Sequence, residues 1–188
     1  MSELNWRLAD REWLDSYLVK VSGSPVICEV DKREALYFNG KPDGLWLPVN
    51  PLEGRARFRC TVGIYPESGG GSEQRFLHAG SLDDERFLIE LRMNYDNSWY
   101  LDICLSIEGE TVVLRNASRV HPADSWYTVS VEFDGKGIVA EVDDSVDLVG
   151  TLTPSPGWAF RRGARCSVGM RQNEVSFFRG AMDRIVWE

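Results

Sequence analysis

The sequence predicts an all-β protein, a single-domain antiparallel β-sandwich spanning residues 1–188. Three observations predict it. Apolar and polar residues alternate with period two along most of the chain. Turn residues separate these runs at near-regular spacing. No amphipathic helix of any length appears. Successive side chains of a strand point to opposite faces, so a half-buried strand reads as strict alternation. Many short strands between turns point to a sandwich or barrel.

Near the N-terminus, Asp10 to Ser16 is the best helical candidate, with Asp10 as its cap ahead of Trp13 and Leu14. Tyr17, Val19 and Val21 then alternate with polar positions, as do Phe58, Cys60, Val62 and Ile64. Phe87, Ile89, Leu91 and Met93 form one face of a strand, and Arg86, Leu88, Glu90 and Arg92 the other. Leu101, Ile103, Leu105 and Ile107 repeat the pattern, followed by Tyr127, Val129, Val131 and Phe133. Asn39-Gly40, Asp43-Gly44 and Asp143-Asp144-Ser145 are turn signals, and Ser68 to Ser72 is a Gly-rich loop. Asp134-Gly135-Lys136-Gly137 lies between two alternating runs and reads as a hairpin. Thr151 to Gly163 is the longest irregular connection.

Composition bounds the function. With 21 Lys plus Arg against 29 Asp plus Glu, the 188-residue chain carries a net charge of −8. This acidic, soluble-protein composition argues against nucleic acid and anionic membrane as partners. No apolar run is long enough for a membrane helix. The N-terminus has neither a basic region nor an apolar segment of a signal peptide, so the chain as written is expected in the cytoplasm. A secreted form would have to have lost its leader. Cys28, Cys60, Cys104 and Cys166 lie far apart, each in an apolar stretch. They form no Cys-x-x-Cys motif and are expected to be reduced core thiols rather than two disulfides. Asn116-Ala117-Ser118 is a glycosylation sequon, meaningful only in a secreted chain.

Four segments look familiar in order and spacing. They are Ala35-Leu36-Tyr37-Phe38-Asn39-Gly40 with Asp43-Gly44, Phe58 to Pro66, Ser125-Trp126-Tyr127 through Asp134-Gly135, and Val168-Gly169-Met170-Arg171 with Phe178 to Trp187. Together they resemble the concanavalin A-like lectin and glucanase superfamily, in its laminin-G-like branch, most clearly over residues 35–187. The family's asparagine-glycine pair after the hairpin is replaced here by Asp143-Asp144. The resemblance implies a jelly roll of two antiparallel sheets, one concave. It also admits a structural calcium ion joining the early loop to the last strand, with Asp43 and Asp183 at the matching acidic positions. Such folds host lectins, adhesion domains, glycosidases and lyases, so fold alone does not settle function.

The most functional-looking residues are His78, Glu90, Arg92, Trp99, Tyr100, Arg171 and Asn173, with Arg75 beside them. Glu90 and Arg92 are two apart and share a sheet face. One reading is an ion-pair lattice of Glu90, Arg92 and Arg171 on that face. The other is a sugar groove on the concave sheet, where Trp99 or Tyr100 supplies a ring under the pyranose and the polar side chains supply hydrogen bonds. Trp46 and Trp158, near Pro and Gly, are alternative sugar platforms, whereas Trp126 and Trp187 read as packing residues. The two histidines, His78 and His121, are too far apart in sequence to suggest a metal site. Leu88 to Arg92 resembles a strand of jelly-roll alginate lyases, with His78 and Tyr100 on plausible neighbouring strands, but no carboxylate-rich glucanase strand is present. The leading expectation is a non-catalytic, lectin-like module that binds a glycan. The alternatives are a jelly-roll polysaccharide lyase or glycoside hydrolase, and a protein-interaction module with no sugar site.

Overall fold

The computed structural model describes residues 3–10, 13–14 and 17–188. In chain order the strands begin with β1 (Leu4–Arg7), β2 (Trp13–Leu14), β3 (Tyr17–Leu18), β4 (Lys20–Ser22), β5 (Val26–Val30) and β6 (Arg33–Asn39). Then come β7 (Gly44–Leu47), β8 (Phe58–Pro66), β9 (Glu73–Gly80), β10 (Arg86–Met93), β11 (Ser98–Ile107) and β12 (Glu110–Arg115). The last six are β13 (His121–Pro122), β14 (Tyr127–Phe133), β15 (Gly137–Val142), β16 (Ser145–Thr151), β17 (Arg165–Val168) and β18 (Arg179–Trp187).

Two antiparallel sheets pack face to face. The first runs β16-β15-β14-β8-β18-β6-β5, with β1 beside β18. The second runs β12-β11-β10-β9-β17-β7-β4, with β13 beside β11. The alternation expected in β10 holds residue by residue: Phe87, Ile89, Leu91 and Met93 enter the core, and Arg86, Leu88, Glu90 and Arg92 take the opposite face. Aromatic rings join the sheets. Phe58 of the first sheet lies 4.8 Å from Phe87 of the second, and Phe87 lies edge-on to Trp187 at 6.3 Å.

The turns follow their chemistry. Asp143 and Asp144 take φ of 48° and 62° in the two-residue turn joining β15 to β16, the left-handed pair that such hairpins require and that Asp tolerates. Asp134 caps the β14–β15 turn, its Oδ1 accepting from the N–H groups of Lys136 and Gly137. The helix expected over Asp10–Ser16 is replaced by a 3-10 turn at Leu8–Asp10 and a two-stranded ribbon in which Trp13 and Leu14 pair with Leu18 and Tyr17. So short a segment has little helical stability of its own, and pairing with Tyr17 and Leu18 prevails. Arg11, Glu12, Asp15 and Ser16 lie outside the described residues.

Candidate functional site

Strand register lays out the core-distal face of the second sheet as parallel rows. One row crosses the whole sheet: Lys20, Trp46, Ser167, His78, Leu88, Cys104 and Val113. The next holds Arg75, Glu90, Asp102 and Arg115, and the one beyond it Glu73, Arg92 and Tyr100. These two charged rows form a closed lattice. Arg92 donates through Nε to Asp102 at 2.7 Å and reaches Glu90 at 3.3 Å and Glu73. Arg75 pairs with Glu90 and donates to the Ser176 hydroxyl at 2.8 Å. Arg115 lies 3.4 Å from Asp102. Glu90 and Asp102 are buried, at 3% and 0% exposure, so neither carboxylate is presented to a substrate. Burial raises the Glu90 pKa, with Asp102 adding to the rise and Arg75 and Arg92 opposing it. Of the two readings of Glu90 and Arg92, the structure draws an ion-pair lattice, but with Asp102, Glu73, Arg75 and Arg115 as its further members; among the described residues Arg171 makes no ion pair.

The other expected residues separate. Trp99 is fully buried in the core between the sheets, against His121 and Tyr127, and offers no surface to a sugar. The same alternation that puts Tyr100 beside Arg92 turns Trp99 inward with Leu101 and Ile103. His78 is fully buried and has both ring nitrogens occupied: Nε2 faces the Ser81 carbonyl at 2.9 Å, and Nδ1 accepts from the Gln172 N–H at 3.3 Å. Burial first, then the charges of Arg171, Arg86 and Arg75, lower its pKa to about 4. It lies four residues along the sheet from Arg92, about 13 Å at strand spacing, so His78, Arg92 and Tyr100 do not converge as a lyase centre. Arg171 is half-buried at the start of the loop over His78, and Asn173 is exposed further along it. Trp158 is not a platform: its indole N–H donates to Glu85 and its ring packs on Phe160 and Phe133.

Asp43 and Asp183 also part company. Both Asp43 oxygens are taken by backbone N–H groups, of Ser24 at 2.8 Å and Asn39 at 2.9 Å. Asn39 stands opposite Arg179 in β18, and Asp183 is four residues further on, about 13 Å away. The two carboxylates therefore form no common ligand set. Among the described residues, no three His, Cys, Asp or Glu side chains cluster to hold a metal ion.

The groove on this face lies at its other end, where β4, β7 and β17 meet. It has a volume of about 480 Å³ and is lined by Leu18, Lys20, Trp46, Arg165, Asn173 and Glu174, with Gln172, Leu47 and Pro48. Trp46 sits on strand β7 rather than in a loop, opposite Lys20, and stays half-exposed with the Arg165 guanidinium 5.1 Å over its ring. Gln172 builds the adjoining wall: its amide donates to the carbonyls of Gly80 at 2.9 Å and Arg165 at 3.0 Å. Glu174 and Ser176 hold φ of 57° and 53°, a conformation that costs L-residues energy and here shapes the loop against β9. Lys20, Arg165, Gln172 and Glu174 escaped the sequence reading because β4 and β7 near the start of the chain meet β17 and the loop after it, which follow far later in the sequence.

No family model and no curated protein matches the sequence. Solved structures share its fold. Domain 4 of a GH43 extracellular arabinanase from Geobacillus stearothermophilus, determined with arabinotriose, aligns over 98% of this chain and 90% of its own at TM-score 0.64 and 14% identity. The mouse laminin alpha1 LG4-5 domains align over 84% of this chain and 40% of theirs at TM-score 0.57 and 17% identity. The fold is an antiparallel jelly-roll β-sandwich, as in these domains. The enzymatically active domain of tailspike protein 2 from bacteriophage CBA120 carries the same architecture, at TM-score 0.66 and 12% identity over 87% of this chain. This chain spans about a quarter of that tailspike's length. At these identities the likenesses establish the jelly roll alone.

Proposed function

We propose that this jelly roll is a non-catalytic, lectin-like module that binds a glycan at the Trp46 groove. The observation that carries the reading is a half-exposed indole on a strand, flanked by hydrogen-bonding side chains of Lys20, Arg165, Gln172 and Asn173 in one open groove. Saccharide sites combine an aromatic surface for the apolar face of a sugar ring with a few fixed polar groups beside it. A strand-mounted site is also rigid, which limits the ordering cost of binding. The complex of the arabinanase domain with arabinotriose supports the reading by analogy of fold. The reading relocates the ligand site from Arg92 and Glu90, which are committed to each other and to Asp102, toward Asn173 and Trp46.

A glycan array followed by titration calorimetry tests it. Trp46→Ala should weaken the best glycan at least tenfold, about 1.4 kcal/mol, with the melting temperature little changed. Arg92→Lys should leave affinity intact. A glycan that binds Trp46→Ala as tightly as the parent protein would place the site elsewhere, and no binding at all would defeat the reading.

A further inference from the structure

Among the described residues, Arg165 is a cation without a counter-ion, held against an aromatic ring. Its guanidinium lies over Trp46, and among the described residues that contact is its only side-chain interaction, with no ion pair and no hydrogen bond. Its backbone is fixed by the β17 pairing and by Gln172, which donates to its carbonyl. The guanidinium sits 5.1 Å over the ring with no other side-chain partner among the described residues, so its donors, a rigid fork that matches an oxyanion, remain available. Lys20 is paired with Trp46 from β4, across β7 from β17, and lines the same groove, also exposed and without an ion pair among the described residues. Among the described residues that line the groove, Glu174 is the one acidic side chain against Lys20 and Arg165, an excess of positive charge in a protein whose net charge is −8. Elsewhere on this sheet face, Arg75, Arg92 and Arg115 all meet carboxylates.

We infer that the groove selects an anionic glycan, its carboxylate or sulfate held by the N–H edge of Arg165 and by Lys20, with the sugar ring against the open part of Trp46. The inference rests on the glycan-binding reading and narrows it. Charge-assisted bonds to a planar fork supply both orientation and discrimination against the uncharged sugar, which would leave the guanidinium edge without its partner.

The test uses matched probes in calorimetry on the full chain: oligogalacturonide and its methyl ester for carboxylate, and heparin oligosaccharide and its desulfated form for sulfate. At least one charged probe should bind, at least tenfold tighter than its uncharged counterpart, and whichever pair shows the difference identifies the anion. Arg165→Gln and Lys20→Gln should each lower that affinity at least tenfold and flatten its salt dependence. Arg165→Lys should recover only part, because an ammonium lacks the fork. Both residues are exposed, so unchanged melting curves are expected to accompany the losses. If charged and uncharged partners bind equally and Trp46→Ala still abolishes binding, the anion preference is wrong and the glycan site stands. If none of these probes binds while a neutral glycan does, the preference is likewise wrong. If no glycan of either kind binds, both readings fall.

Discussion

The main-chain N–H of Gln172 points at Nδ1 of His78, 3.3 Å away, and so ties the wall of the groove to the floor of the sheet. With Nε2 donating to the Ser81 carbonyl, the imidazole is a neutral ring with a single tautomer that satisfies both bonds. Protonation at Nδ1 would set two N–H groups against each other in a buried site already facing Arg75, Arg86 and Arg171.

This pair makes stability depend on pH. Burial lowers the His78 pKa from 6.5 to about 4 in the folded protein. Between those values the unfolded chain binds the proton more readily, so stability rises with pH across that window. The contribution is fully present above about pH 6.5 and is lost as pH falls toward 4, about 3 kcal/mol in all. Urea unfolding of the parent protein and of His78→Gln, followed from pH 4 to 8, should give profiles that diverge across this window. Parallel profiles would mean that His78 does not titrate as the geometry requires.

The lattice gives a stability prediction of a different kind. Asp102 is fully buried, with Arg92 at 2.7 Å and Arg115 at 3.4 Å on one oxygen. Removing one partner of a buried ion pair leaves a charge without compensation, at a cost of about 3–5 kcal/mol. Arg92→Ala leaves Asp102 with Arg115 and Glu90 with Arg75, so it should lower the unfolding free energy by less than that, about 1–3 kcal/mol, and Arg92→Lys by less still. Denaturant titration reads the difference; a change within the scatter of a surface substitution would show that the lattice is not held together through Arg92.

The fold was legible because period-two alternation is a local property. The two faces of β10 and the hairpins at Asp134 and at Asp143-Asp144 are written in neighbouring residues, and the structure reproduces them. Trp99 was equally legible: it has the parity of Leu101 and Ile103, which form the core face, and only Tyr100 shares a face with Arg92. The groove was not legible in this way. Lys20, Trp46 and Arg165 become neighbours through the β4–β7 and β7–β17 pairings, which no local pattern specifies. Asp43 looked like a metal ligand because a turn carboxylate that accepts two backbone N–H groups and one that binds an ion carry the same residue in the same loop.

The thiols separate by strand position. Cys60 and Cys166 lie in the core, where burial pushes both pKa values up, and Cys104 is also buried. Cys28 is only half-buried, on β5, which among the described residues is the edge strand of its sheet. A thiol reagent at mildly alkaline pH should therefore modify Cys28 in the native protein and all four cysteines after unfolding. Peptide mapping identifies the labelled residue. Equal labelling of all four in the native state would contradict the packing, and resistance of Cys28 would mean that something covers the β5 edge.

One buried carboxylate takes two of the bonds that hold the long irregular connection ahead of β17. Glu85 is 5% exposed and accepts from the Trp158 indole N–H at 2.9 Å and from the Arg161 backbone N–H at 3.0 Å. The stretch is also tied by the Ser155 N–H to Glu108 at 2.7 Å, by Arg162 to Glu53 at 3.2 Å, by Arg161 to Asp84 at 3.4 Å and by the backbone bonds of Phe160 with Gly54 and Arg55. Glu85→Ala leaves two donors without an acceptor and should destabilise the protein by about 1–3 kcal/mol, but the sharper consequence is local. Arg161 and Arg162 are both exposed, and tryptic cleavage after them requires this segment to open. Limited trypsinolysis should cut Glu85→Ala after Arg161 or Arg162 markedly faster than the parent protein, while cleavage elsewhere follows the global stability. Glu85→Gln should behave in between, since its remaining oxygen can still accept one of the two bonds. If the cleavage rate at these arginines tracks only the change in global unfolding, the segment is held by the core contacts of Phe160 and not by Glu85.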